Sequence, residues 1–268
     1  MRILALQYDI AWENPPANYA RVRTMLQSAS PTGGELVVLP EMFSTGFSMN
    51  VLQPPPDRQF ISELAREFGV SILAGTIAEA AGGKRFNQAL LISSDGAEAA
   101  CFNKLHPFSP AGENQYFTAG TDILVTSFQG LRIAPLICYD LRFPESFRSA
   151  VRLGANVMMV IANWPEARID HWTTLLRARA IENQSYVLGV NRVGRDPHCS
   201  YPGRSMAISP SGTILAELGG QEGILIAHFD SATVQKYRAE FPALADMNRC
   251  PISAEPKAAP PRRDPAGG

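Results

Sequence analysis

Arg132 to Glu145 reads RIAPLICYDLRFPE, and the fold turns on how this stretch is read. Ile133, Ala134, Leu136 and Ile137 form an apolar run too short for a globular helix and suited to a strand buried on both faces. The run stops at Cys138, turns polar through Tyr139, Asp140 and Arg142, and resumes as a helical pattern after Pro144, an ordinary first-turn residue. A strand that ends in a thiol and feeds a helix holds a nucleophile on a rigid support. The backbone N–H groups of the turn are then free to face a developing oxyanion. A lone cysteine is more often a small, inert hydrophobe, so the assignment of Cys138 depends on what accompanies it.

Outward from this strand the chain keeps an α/β rhythm. Strand-like Arg2 to Gln7 precedes a helical segment from about Ala17 to Gln27, and Glu35 to Leu39 is a strand running into Pro40 and Glu41. After the Pro54-Pro55-Pro56 break, Asp57 is expected to cap a helix with Phe60, Ile61, Leu64 and Phe68 on its buried side and Gly69 at its end. VSILAGTIAE, FNQALLIS and AEAACFN then read as strands, the last leading into Lys104. Beyond Cys138 come a helix stopped by Gly154, the strand NVMMVIA, and the helix HWTTLLRARAIENQ with Trp172, Leu175, Leu176 and Ala180 on one side. SYVLGVN, RSMAISP, TILAEL and GILIAHF complete the strands, and Ser231 is expected to cap a last short helix. Nothing marks an internal linker, so residues 1–250 read as one domain. Residues 251–268, rich in Pro, Ala and Gly, read as a disordered tail or an arm lying on a neighbour.

Composition narrows the function. With 24 Lys and Arg against 25 Asp and Glu, no basic stripe with interleaved aromatics argues for nucleic acid, and no apolar run approaches a membrane span. MRILALQYDIAW is too short and too polar for a signal peptide. Cys101, Cys138, Cys199 and Cys250 lie far apart without a CxxC pair, which suits a reducing cytoplasm and argues against a disulfide or zinc framework. The scattered histidines give a metal site no support.

Three strand ends each carry one reactive residue: Glu41 after ELVVLP, Lys104 after AACFN, and Cys138 after RIAPLI. Ligand sites in α/β sheets collect where strand C-termini open. A carboxylate that takes the thiol proton, an ammonium that holds an oxyanion and a thiolate that attacks make up an acyl-transfer site. Singly, Glu41 reads as well as a capping carboxylate and Lys104 as a solvated lysine.

LPEMFSTGF around Glu41, FNKLHPFSPAGE around Lys104 and ICYDLRFPE around Cys138 resemble, in order and separation, the three signature segments of the nitrilase superfamily of carbon-nitrogen hydrolases. The resemblance extends to about Asp230. It implies a four-layer αββα sandwich, commonly paired into dimers, with Glu41 as general base, Lys104 as oxyanion and positioning group and Cys138 as nucleophile. It also implies that Glu113 orients the lysine, and that the Tyr139 backbone N–H is a further oxyanion donor. Glu113 could otherwise be an exposed loop carboxylate. Pro107 departs from the family's usual Lys-x-His-Leu pattern and leaves the local loop shape open.

Tyr139 stands where true nitrilases resemble a Cys-Trp pair, so the resemblance favours amide hydrolysis, without metal or organic cofactor. CYDLRFP, HPFSPAGE and RAIENQ look most like the bacterial omega-amidase branch, which acts on the terminal amide of 2-oxo dicarboxylic monoamides such as 2-oxoglutaramate and 2-oxosuccinamate. Such a substrate needs a cation remote from Cys138. Arg142 is the best-placed candidate, unless it pairs with Asp140 or Glu145, and Phe43, Phe47 and Trp164 could wall the slot. Deaminated-glutathione amidase and N-carbamoyl amino acid hydrolase are alternatives within the family. A Cys-His-Asp hydrolase using His106 or His171 and a non-catalytic interaction module are alternatives outside it. Cys138 is expected to be alkylated faster than Cys101, which sits in a strand pattern, and the helix bearing Trp172, Leu175 and Leu176 is expected either to pair with a second copy or to pack on its own sheet.

Overall fold

A computed structural model of the chain describes residues 1–50, 54–80 and 82–247. The expected tail and the domain boundary at residue 250 lie outside the described residues. In chain order the elements are β1 (Arg2–Gln7), α1 (Pro15–Ala29), β2 (Leu36–Val38), α2 (Asp57–Phe68), β3 (Ser71–Ala80), β4 (Lys84–Ile92), β5 (Glu98–Asn103), β6 (Thr126–Phe128) and β7 (Leu131–Ile137). They continue as α3 (Pro144–Arg152), β8 (Val157–Ala162), α4 (Ile169–Asn183), β9 (Tyr186–Asn191), β10 (Val193–Arg195), β11 (Ser200–Pro202), β12 (Met206–Ile208), β13 (Ile214–Glu217), β14 (Gly223–His228) and α5 (Ser231–Glu240).

Two six-stranded mixed sheets form, in the orders β14-β1-β2-β3-β4-β5 and β13-β12-β9-β8-β7-β6. Strand alternation sets the layers. On β1 and β2, Ile3, Ala5, Leu36 and Val38 join the core shared with the second sheet, while Leu4, Leu6 and Val37 pack under Val22 and Leu26 of α1 and Ile61 and Leu64 of α2. The central strands of the second sheet are buried on both faces, as VMMVIA of β8 is throughout, because α3 and α4 cover the side away from the first sheet. The result is the expected single-domain αββα sandwich. Parallel pairing of β2 with β1 and β3, and of β8 with β7 and β9, aligns strand C-termini at one end of each sheet.

The differences from the sequence reading are local. Asp57 is the first residue of α2 and not its cap; it is buried and accepts a hydrogen bond from the Tyr19 hydroxyl at 2.7 Å. α5 is capped by Asp230, whose Oδ1 accepts from Thr233 N at 2.7 Å, which leaves Ser231 inside the first turn. α1 begins earlier than read, because Pro15 and Pro16 suit a first turn that needs no N–H. The β10–β11 hairpin went unread, since two three-residue strands around Pro197 carry no usable alternation. Trp172 and Leu176 are spent inside the chain: a Cβ at Gly189 of β9 would lie 2.4 Å from Leu176 Cδ1 and 2.8 Å from Trp172 Cζ2, so this side of α4 packs on its own sheet and faces no partner.

Candidate active site

Each reactive strand end is fixed by its neighbour. Beyond β2, the Glu41 segment stays tied to β3, with Leu39 N donating to Leu73 O at 2.9 Å, Gly75 N to Pro40 O at 3.1 Å and Phe43 N to Gly75 O at 2.9 Å. A Cβ at Gly75 would fall 2.4 Å from Glu41 Cα, so only glycine lets the carboxylate's backbone come this close. Lys104 follows β5 directly and is held by its N–H to Asn87 O and by Gly120 N to its own carbonyl, both at 2.8 Å.

Cys138 stands at the tip of β7 in the left-handed region, with φ of 44°. For a non-glycine residue this costs on the order of 1–3 kcal/mol and persists only where neighbours impose it. Asp140 does so. Its buried carboxylate accepts from Ile137 N at 3.0 Å and from His106 N and Nδ1 at 3.0 and 2.8 Å, tying the thiol's turn to the loop after Lys104. The same contacts, with Phe108 N donating to Glu113 Oε2, shape the loop that contains Pro107.

Glu41, Lys104 and Glu113 form one buried cluster, with exposures of 0, 1 and 0%. Lys104 Nζ lies 2.8 Å from Glu41 Oε1 and 2.8 and 3.1 Å from the two oxygens of Glu113. Glu113 is therefore an ion-pair partner and not an exposed loop carboxylate. Asn87 Nδ2 bridges the two carboxylates, at 2.7 Å from Glu41 and 2.8 Å from Glu113. Burial works against ionising Glu41, but the Lys104 charge and the hydrogen bonds from Lys104, Asn163 N and Asn87 outweigh it and hold the carboxyl below its ordinary range. Burial likewise disfavours the Lys104 ammonium, yet Glu41 and Glu113 push its pKa up. For Cys138, burial and the negative charge of Glu41 raise the thiol well above its usual pKa, against a smaller pull from Lys104. Burial and Glu41 thus favour the Cys138 thiol over the thiolate.

Cys138 opens into a cavity of about 670 Å³, within the range of small-molecule sites. Tyr139, Arg142, Phe47 and Trp164 line it, as expected. Phe43 does not. It is fully buried between Tyr19 and Phe60 under the first sheet, on the face opposite Glu41's side of the chain, and its place in the wall is taken by Phe108 and Trp12. Arg142 has neither Asp140 nor Glu145 as an ion-pair partner; its guanidinium lies 5.0 Å over the Trp164 ring, and Nη2 is 3.1 Å from His171 Nδ1. The Cys-His-Asp alternative lacks its defining contact: among the described residues Cys138 Sγ meets Glu41 and, at 3.9 Å, Asn163 O, whereas His106 pairs with Asp140 and His171 with Arg142 without either imidazole hydrogen-bonding the thiol. Cys101 is exposed on edge strand β5 and Cys138 only half-exposed, so exposure does not favour alkylation of Cys138 over Cys101. Burial in a strand requires a cover, which the described residues do not supply on the outer face of β5.

Asn87, Asn163 and Asn191 were missed. Asn163 follows the buried strand β8 just as Cys138 follows β7, and the same strand-tip logic would have found it. Asn191 fixes Trp164, accepting from its backbone N at 2.7 Å and donating to its carbonyl at 3.0 Å. Asn87 sits mid-strand in β4, where sequence carries no signal for it.

The carbon-nitrogen hydrolase family model matches residues 2–239. The chain is 36% identical over 254 residues to the omega-amidase YafV of Yersinia enterocolitica, covering 93% of this chain and 97% of that one. It is 33% identical over 253 residues to the 2-oxoglutaramate amidase of Bacillus subtilis, covering 92% and 97%. Its fold superposes with a TM-score of 0.85, at 33% identity and over 94% of this chain and 99% of the other, on XC1258 of Xanthomonas campestris, a CN-hydrolase superfamily protein solved with an arsenic adduct in its active site. The chain belongs to the carbon-nitrogen hydrolase family. Its reaction class is hydrolysis of a carbon–nitrogen bond.

Proposed function

We propose that the protein is an omega-amidase, releasing ammonia from the terminal amide of 2-oxo dicarboxylic monoamides such as 2-oxoglutaramate and 2-oxosuccinamate. The observation that carries this reading is the Arg142 guanidinium in the same cavity as Cys138, with no carboxylate ion-pair partner among the described residues, backed by the buried Glu41–Lys104–Glu113 cluster. Relatives named omega-amidase and 2-oxoglutaramate amidase support it.

In the first half-reaction Cys138 Sγ bonds to the amide carbonyl carbon as its proton passes to Glu41. With burial and Glu41 favouring the thiol over the thiolate, attack and proton transfer go together. The oxyanion is met by Lys104 and the Tyr139 N–H, so negative charge moves from Glu41 to the oxyanion without any new net charge in a buried site. Glu41 then gives the proton to the departing nitrogen, the C–N bond breaks and ammonia leaves. Water attacks the thioester, Glu41 takes its proton, the S–C bond breaks, and the proton returns to the Cys138 thiolate as the acid is released. Glu113 and Asn87 hold Lys104 and Glu41 in place throughout.

An ammonia-release assay over a panel of amides tests the reading. The two 2-oxo monoamides are expected to exceed neutral aliphatic amides, nitriles and N-carbamoyl amino acids in kcat/KM; faster turnover of any of the latter overturns it. We further propose that the enzyme acts in the cytoplasm, for which Cys101, Cys138 and Cys199, all unpaired, suit a reducing compartment. We also propose that it works as a homodimer or larger homo-oligomer through the outer side of α3 and α4, where Leu153 and Ile181 stay exposed. A monomer in sedimentation at micromolar concentration would overturn the assembly.

A further inference from the structure

The cavity holds a second cation that the reaction does not use. Arg168, in the turn before α4, lines the same cavity as Cys138 and Arg142. Its guanidinium lies 5.5 Å over the Phe108 ring, and no carboxylate pairs with it among the described residues. Trp164 joins the two arginines: Arg142 stacks on its ring, and its Nε1 donates to the Arg168 carbonyl at 2.7 Å. Phe108 packs edge-on against Tyr139 at 4.8 Å, so both guanidiniums rest on aromatic plates that border the nucleophile's turn.

The carboxylates of the cavity are committed elsewhere. Glu13 accepts from the Ser48 hydroxyl at 2.5 Å. Asp196 accepts from His198 N and Cys199 N, both at 2.7 Å, and from the Tyr201 hydroxyl at 2.5 Å. Two half-buried guanidiniums with no ion-pair partner among the described residues, in a slot that also holds an acyl-transfer site, match a ligand that brings its own anion. A planar cation over an aromatic ring keeps its N–H edges available for such a ligand.

We propose that Arg168 is a specificity-determining residue that, with Arg142, grips the remote carboxylate of the substrate between two guanidiniums. This rests on the reading of the protein as an amidase for anionic omega-amides. The grip lies away from the reacting carbonyl and binds ground state and transition state alike, so its loss falls on KM more than on kcat.

The test compares kcat and KM for 2-oxoglutaramate and for neutral butyramide in the unaltered enzyme, Arg168→Gln, Arg168→Lys and Glu166→Gln, the last an exposed neighbour outside the cavity. Hydrogen bonds to a charged partner lead to an expected loss of about ten- to hundredfold in kcat/KM for 2-oxoglutaramate in Arg168→Gln, carried by KM. The change for butyramide should stay under about threefold, Arg168→Lys should recover part of the loss, and Glu166→Gln should match the unaltered enzyme. Equal losses on both substrates in Arg168→Gln would make Arg168 a prop for Phe108 and overturn the proposal, as would an unchanged preference. A neutral amide preferred by the unaltered enzyme would instead overturn the omega-amidase reading itself.

Discussion

Asn163 binds Glu41 at both its backbone and its carboxylate: Asn163 N donates to Oε2 at 2.9 Å, and Nδ2 donates to the Glu41 carbonyl at 2.7 Å. The two residues lie just past strands of different sheets, β8 and β2, so this contact ties the Glu41 segment of the first sheet to the strand beside that of Cys138 in the second. Asn163→Ala removes the side-chain half while leaving the backbone N–H. A hydrogen bond in a charged cluster contributes about 1.5–3 kcal/mol, and kcat is expected to fall about ten- to hundredfold with KM little changed. Steady-state kinetics on the folded variant checks this; a loss confined to KM would make Asn163 a substrate contact.

Lys104 is the only cation hydrogen-bonded to Glu41 and Glu113 among the described residues, and it neutralises part of their buried charge. Lys104→Met should therefore act twice. Leaving buried carboxylates unpaired is expected to cost about 3–5 kcal/mol of stability, and losing the oxyanion donor should lower kcat about 10²–10³-fold per folded molecule. Thermal unfolding and active-site-normalised kinetics separate the two. An unchanged kcat would remove Lys104 from the chemistry.

How much of this was legible in the sequence follows from where each residue lies. Strand-tip residues such as Glu41 and Cys138 stand out as candidates, because an apolar run ends in a reactive side chain, and it is their occurrence together with Lys104 that points to a site. Phe43 shows the limit: two residues past Glu41, its side chain turns under the first sheet, and only the left-handed backbone at Met42, with φ of 44°, reveals that turn. Asn87 and Arg168 meet partners brought in by sheet pairing and loop packing, which no local pattern encodes. The β10–β11 hairpin, whose Tyr201 lines the cavity, is too short to carry a pattern.

Activity should have an unusual acid limb. Glu41 works as a carboxylate and its folded pKa is lowered, chiefly by Lys104 against burial, so activity is present above that pKa and lost as pH falls through it. The limb of kcat/KM is expected below the ordinary glutamate value of about 4.3. Asn87→Ala removes one hydrogen bond that favours the carboxylate and should move the limb upward. A limb that stays in place would show that Asn87 does not tune the base.

Asp57, buried beside Tyr19, has its pKa pushed up to about 7 by burial, against the hydrogen bond from Tyr19. A raised folded pKa means the stability it contributes is complete below the unfolded value of about 3.9 and is lost as pH rises towards 7. Asp57→Asn keeps an acceptor for the Tyr19 hydroxyl and cannot ionise. It should gain over the unaltered protein from pH 5 to pH 8, by about 2.6 kcal/mol at most. Chemical denaturation at both pH values reads the difference, and an equal effect at both would rule out an ionising Asp57.

The most direct measurement is intact mass, followed by peptide mapping, of enzyme acid-quenched during turnover of 2-oxoglutaramate. The Glu41–Lys104–Cys138 mechanism predicts an adduct equal to the substrate less ammonia, located on Cys138, and neither adduct nor ammonia release in a folded Cys138→Ala variant. Ammonia release by that variant, or an acyl group mapped to another residue, would contradict it.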